Sequence, residues 1–243
     1  MPSFALAALV LAISSTDQVS PPPAHDQPIL QDGELIFPEG ALIPKFMTEV
    51  EDRFLGGQPV PAPRGATPPP PGPIRTASEF EEMDGILLAW EGYSSILSQM
   101  AAAITTIGNA KVFIACDSNS EGNSARNNCI AAGADPDRVV IVVRSTNTVW
   151  IRDYGPRYAY EGDCRVVVDH TYNRPRPNDN AYSGYFGPLF GHEVYELPLV
   201  HGGGNWHGNG NGVAAATELI VDENPSLSES QIVQYWRDYQ NVE

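Results

Sequence analysis

From about Thr76 onward, short apolar runs alternate with amphipathic segments. Residues 86–90 form a continuous apolar run of strand length. Residues 94–107 carry Ile96, Leu97, Met100, Ala103 and Ile104 at helical spacing, and Gly108 supplies a stop. Residues 111–116 predict a second strand, 124–132 a second helix, and 138–144 (Arg-Val-Val-Ile-Val-Val-Arg) a strand buried on both faces. The order is β-α-β-α-β, which predicts an α/β domain with helices packed on a largely buried sheet.

Beyond the polar turn 145–148, residues 157–160 and 165–170 predict a hairpin joined by Glu161, Gly162 and Asp163. Residues 172–179 hold two prolines that remove donors and constrain their predecessors, so no regular structure is expected there. Residues 193–200 predict a strand running into a glycine-rich loop, with 212–221 as its return strand. Ser226 with Glu229 and Ser228 with Gln231 are overlapping capping-box patterns, and a helix to about Tyr239 should follow them.

The chain before Thr76 is different. Residues 4–13 are an apolar run of the length of a signal-peptide core, although no Lys or Arg precedes it, and residues 1–19 are taken as a signal sequence. A secreted or periplasmic location follows, with a cytoplasmic one as the alternative. Residues 20–75 are rich in proline, glycine and acids, a composition expected to give a disordered, partly polyproline II linker. Residues 76–243 then form the folded domain.

The net charge of -16, from 30 acidic and 14 basic residues, argues against nucleic acid as a partner and favours attraction of a cationic substrate. No membrane partner is expected after export. Cys116, Cys129 and Cys164 offer neither a full disulfide framework nor a C-x-x-C metal pair.

Two stretches concentrate chemistry. Trp150-Ile151-Arg152-Asp153-Tyr154-Gly155-Pro156 sets an indole face three residues from a carboxylate, which suits a guanidinium. The plainer alternative is an Arg152–Asp153 ion pair beside a core tryptophan. In the run from Gly202 to Gly212, His207 stands among glycines, where it can act as a general acid or base or be merely structural. Arg174 and Arg176, separated by Pro175, present two forks suited to a carboxylate or, equally, to solvent. His201 and His207 lack the further ligands a metal needs, and no G-x-S-x-G elbow is present.

Taken together, the two loops resemble the agmatine deiminase and bacterial (Porphyromonas-type) peptidylarginine deiminase family. The resemblance implies part of a five-bladed α/β propeller of ββαβ units. It also implies hydrolysis of a guanidinium to a ureido product and ammonia, through a cysteine thiouronium and without a metal or organic cofactor. By the same resemblance Asp153 would bind the guanidinium, Trp150 would line the pocket and His207 would be the acid and base. Arg174 and Arg176 would hold a substrate carboxylate, favouring a peptide with C-terminal arginine over agmatine or another small guanidinium compound. Asn209 stands where the family commonly has an aspartate as second guanidinium partner. None of the three cysteines matches the family's late nucleophile. The chain is therefore expected to be an incomplete copy holding about half the propeller, with an inactive guanidinium-binding fragment or interaction module as the alternative.

Overall fold

The computed structural model describes residues 25–242. The expected signal sequence over 1–19 lies outside the described residues. The predicted β-α-β-α-β order is found as β4 (Gly85–Ala89), α2 (Ser94–Thr106), β5 (Lys111–Cys116), α3 (Asn119–Ala131) and β6 (Val139–Val143), making a parallel sheet in the order β4-β5-β6. Helix α3 begins about one turn earlier than expected because Ser118 caps it, its side chain accepting from the Glu121 N–H.

Alternation along these strands decides what each face meets. Val112, Ile114 and Cys116 join Leu97, Ala101, Ala125 and Cys129 in one core beneath α2 and α3. Phe113, Ala115 and Val142 point the other way, against Tyr154, Tyr172, Tyr182 and Phe186. The sheet is thus covered on both sides.

The second sheet has the order β3-β7-β8-β9. Strand β3 (Ile74–Thr76) pairs antiparallel with β7 (Arg157–Glu161), β7 pairs antiparallel with β8 (Cys164–Tyr172), and β8 pairs parallel with β9 (Glu193–His201). The turn residue Gly162 sits at φ 58°, where glycine is unstrained. Between β8 and β9 the chain forms α5 (Pro177–Asn180) and α6 (Tyr182–Leu189). Residues 157–201 are thus one ββαβ unit. Helix α6 escapes the sequence pattern because Gly184, Gly187 and Pro188 lower its propensity. A Cβ on Gly187 would lie 2.9 Å from Val194 and 3.1 Å from Val167, so glycine is what lets the helix rest on the sheet. On the opposite face, Val166, Val168, Leu197 and Leu199 pack with Trp206, Ile232, Trp236 and Tyr239.

The last helix, α8 (Glu229–Gln240), uses the Ser228/Gln231 capping box. The return strand expected over 212–221 is shorter than predicted. Only Ala214 and Ala215 of β11 (Ala214–Ala215) pair with β10 (His207–Gly208), and the chain then turns into α7 (Leu219–Asp222).

The linker expected over 20–75 is corrected by the structure across its described part. Strands β1 (Ile29–Gln31) and β2 (Glu34–Ile36) form a hairpin, and α1 (Glu49–Leu55) starts at a Thr48/Glu51 capping box and ends at Gly56 in the left-handed region. What fastens this proline-rich stretch is a few polar residues far from their partners in sequence. The Arg64 guanidinium donates to Asp169 Oδ2 at 2.6 Å and to the carbonyls of Asn180 and His170. Thr67 bonds Glu196 in both directions, and the Gly72 N–H donates to Glu161 at 2.8 Å. Prolines cannot donate, so the residues between them carry the attachment.

Candidate guanidinium site

Asp153 is the third residue of α4 (Ile151–Tyr154), a single helical turn whose Asp153 N–H donates to the Trp150 carbonyl. Gly155 ends it, since a Cβ there would come within 2.5 Å of the Ile151 carbonyl oxygen. The second loop closes onto this turn through its glycines. A Cβ on Gly203 would lie 2.6 Å from the Arg152 carbonyl oxygen, and one on Gly204 would lie 2.5 Å from Asp153 Oδ1. Without side chains the backbone reaches the carboxylate, and the Gly204 N–H donates to Asp153 Oδ1 at 3.0 Å. The two stretches singled out in sequence therefore form one site, with a buried carboxylate at its centre.

Beneath Asp153 lie two buried imidazoles. His170 and His201 stack at 4.0 Å, with their planes 22° apart. Burial, aided by the Arg157 charge, pushes His170 down to about 3, and burial with the neighbouring His170 pushes His201 down as well. Both rings are neutral near pH 7. His170 Nε2 lies 2.9 Å from the Asp153 carbonyl oxygen, which only accepts, so Nε2 carries the proton and pins the backbone of the turn.

A second buried carboxylate stands nearby. Glu223 Oε1 accepts from Asn173 Nδ2, and Oε2 is buried without a hydrogen-bond partner. Burial pushes its carboxyl up to about 7, with the Asp153 charge contributing in the same direction. The Asn173 amide and Asp153 Oδ1 both lie 3.4 Å from where a Cβ of Gly202 would be.

His207 opens β10 with its side chain exposed. Its Nδ1 lies 3.1 Å from Glu79 Oε1 and 3.4 Å from Arg152 Nη2, and Arg152 itself pairs with Glu79. Partial burial pulls the Glu79 carboxyl upward, but hydrogen bonds from Arg152 and His207 outweigh it and the net shift is downward. Arg152 is therefore committed to Glu79, which removes the Arg152–Asp153 pair as the plainer reading. With Nδ1–H donating to Glu79, a neutral His207 keeps Nε2 as a proton acceptor.

Three expected site residues sit differently. Asn209 Oδ1 accepts from the N–H groups of Asn211 and Val213 at 2.8 and 3.1 Å, closing the β10–β11 turn rather than facing a ligand. Arg176 is 1 % exposed, and its guanidinium grips Glu51 at 2.7 and 3.2 Å and the Pro44 carbonyl at 2.7 Å, so it is an internal anchor and not a fork at a pocket mouth. Arg174 donates to the carbonyls of Lys45 and Asn173 at 3.1 and 2.7 Å. Trp150 is half-buried beneath the same segment, its Nε1 donating to the Ile43 carbonyl at 2.9 Å. Lys45 completes the set, with Nζ 3.4 Å from Asp153 Oδ1. Sequence pattern gave no sign of Lys45, Glu79 or Glu223. Glu51 has the three-residue spacing from Thr48 of a capping box, but it lies within the stretch expected to be linker. Among the described residues no cluster of three His, Cys, Asp or Glu side chains is disposed to hold a metal.

Residues 75–243 match the family model of the Porphyromonas-type peptidyl-arginine deiminases. The fold is shared with agmatine deiminases: the Enterococcus faecalis enzyme superposes with a TM-score of 0.60 at 22% identity, covering 70% of this chain and 51% of that one. A C. jejuni agmatine deiminase with substrate bound gives 0.58 at 22% identity, covering 70% and 54%. In sequence, a Latilactobacillus sakei protein named as a candidate agmatine deiminase is 31% identical over 201 residues, 73% of this chain and 53% of its own length. A similarly named Shewanella protein (strain MR-4) is 32% identical over 122 residues, 44% and 33%. The chain belongs to the agmatine deiminase and Porphyromonas-type peptidyl-arginine deiminase family. It spans about half the length of the Latilactobacillus relative.

Proposed function

We propose that this chain supplies the guanidinium-holding part of a deiminase that hydrolyses a guanidino group to a ureido group and ammonia. One observation carries the reading. Asp153 is a buried carboxylate held by a backbone N–H at the meeting point of the two loops, three residues after Trp150. A carboxylate so fixed can accept two parallel N–H bonds from a planar guanidinium, and charge-assisted bonds of this kind are about twice as strong as neutral ones. His207, oriented by Glu79, is the proton carrier for departing ammonia and incoming water.

The substrate class is agmatine or arginine, free or at a peptide C-terminus. With Arg176 committed to Glu51, Arg174 is the remaining candidate for a substrate carboxylate, and the reason for preferring peptidyl arginine is weaker than the paired arginines suggested. The five-bladed propeller, of which residues 157–201 would form one unit, and export directed by residues 1–19 belong to the same proposal.

The covalent step calls for a thiolate beside the guanidinium carbon, and this chain's cysteines do not suit it. Cys116 and Cys129 are buried between α2, α3 and the first sheet, and burial pushes the Cys116 thiol up to about 12 and Cys129 upward too. Cys164 is exposed at the hairpin where β8 begins. This favours a second reading, guanidinium binding by these residues without turnover. The test is calorimetric binding of agmatine and of a peptide ending in arginine, alongside an ammonia assay. Binding abolished by Asp153→Asn supports the site, and ammonia release abolished by His207→Ala supports the enzyme reading over the binding one. Undiminished binding by Asp153→Asn refutes the site.

A further inference from the structure

Four residues expected to touch substrate instead touch one segment of the chain itself. Trp150 Nε1 donates to the Ile43 carbonyl, Arg174 Nε to the Lys45 carbonyl, and Arg176 to the carbonyls of Pro44 and Phe46 and to the Glu51 carboxylate. The fourth is Asp153, whose Oδ1 has the Lys45 ammonium 3.4 Å away. Lys45 Nζ is also 3.2 Å from where a Cβ of Gly204 would lie, so it sits over the place where loop and carboxylate meet.

We propose that residues 43–51 are a built-in competitor for the guanidinium site, with the Lys45 ammonium paired to Asp153 in place of a substrate cation. This rests on Asp153 being that site. The segment is not held by Lys45 itself. Its anchors are the buried Arg176–Glu51 pair and the Thr48/Glu51 capping box, so the ammonium is presented at high effective concentration whether or not Asp153 engages it. The Lys45 side chain is 56 % exposed and flexible, so it can swing away without unseating the segment.

The two cations differ in what they offer Asp153. An ammonium is a compact point charge, whereas a guanidinium presents a planar fork that matches a carboxylate with two parallel bonds. A guanidinium therefore displaces Lys45, while small ammonium ions gain too little to do so. The device lowers affinity for every ligand and discriminates against amines that lack a guanidino group.

The experiment uses the full chain. The agmatine dissociation constant is measured by calorimetry for the wild type, Lys45→Met and Asp153→Asn. In parallel, lysines are reductively methylated with 13C-formaldehyde, which keeps their charge, and the methyl signals of Lys45 and Lys111 are followed. Lys111, exposed on β5, is the internal control. Lys45→Met is expected to bind agmatine about two- to fivefold tighter, the range set by a half-exposed ion pair. The Lys45 signal is expected to move on agmatine saturation and in Asp153→Asn, with Lys111 still.

Unchanged or weaker binding by Lys45→Met, with Asp153→Asn abolishing it, overturns the competitor and leaves the guanidinium site standing. A Lys45 signal that does not respond to Asp153→Asn overturns the competitor whatever the calorimetry shows. Agmatine binding that survives Asp153→Asn, or is absent from all three proteins, overturns both the guanidinium site and the competitor.

Discussion

Replacing Arg176 with methionine separates an anchoring role from a substrate-binding one. The Arg176 and Glu51 side chains are both fully buried, and the guanidinium meets the carboxylate at 2.7 and 3.2 Å. Methionine fills similar volume but leaves the Glu51 charge buried without its partner, a loss of about 3–5 kcal/mol for such pairs. Glu51 Oε2 keeps its bond from the Thr48 N–H at 2.8 Å, so the lower end, about 3 kcal/mol, applies. The remaining polar ties of this segment to the site, Trp150 to Ile43, Arg174 to Lys45 and the half-exposed Lys45–Asp153 pair, contribute about 1 kcal/mol or less each. The segment should therefore undock before the domain melts. Trypsin is the assay, because Lys45 lies in the segment and Arg53 follows it within α1. Cleavage at these two sites should rise about 100-fold in Arg176→Met, since 1.4 kcal/mol is a factor of ten. The double variant with Glu51→Gln should recover much of the loss, because no unpaired charge then remains buried. Agmatine affinity should rise as Lys45 departs with its segment. Cleavage within twofold of wild type, together with weaker binding of a peptide ending in arginine, would refute this and return Arg176 to the ligand.

Two further substitutions test the site and its surroundings. Gly204→Ala places a Cβ 2.5 Å from Asp153 Oδ1 and removes the charge-assisted N–H bond, so agmatine affinity should fall about tenfold or more by calorimetry while the fold persists by circular dichroism. Burial, followed by the Asp117 charge, raises Glu91 from 4.5 to about 8. A carboxyl raised on folding gives its full stability below about pH 4.5 and loses it as pH climbs through about 8. Glu91→Gln keeps an acceptor for Thr146 and removes that loss, on the order of a few kcal/mol. Its melting temperature should exceed that of the wild type at pH 9 and not at pH 4, and equal melting curves at pH 9 would contradict the argument.

How far the sequence leads is visible in particular elements. The runs at β4, β5 and β6 are apolar on both faces because both faces are covered, and local pattern is enough to see them. The Ser228/Gln231 box marked α8 for the same reason, since its two partners are three residues apart. The Thr48/Glu51 box carried the same signature and was obscured by the surrounding prolines. The two loops were legible as a site because glycines, an indole and ionisable groups crowd into a few residues.

Local pattern suffices for the β-α-β-α-β order of residues 85–143 and for marking the Asp153 turn and the glycine loop as the places where chemistry concentrates. Which residues attend that carboxylate is set by contacts distant in sequence. Periodicity records burial within a few residues, whereas Arg176 finds Glu51 at a separation of 125 residues, and His207 finds Glu79 at 128. A single hydrogen bond across such a distance leaves no mark on the local pattern. For that reason Arg176 has the local context of a ligand fork and is an anchor, Asn209 has that of a second guanidinium partner and closes its own turn, and Lys45 carries no local mark of its place 3.4 Å from Asp153.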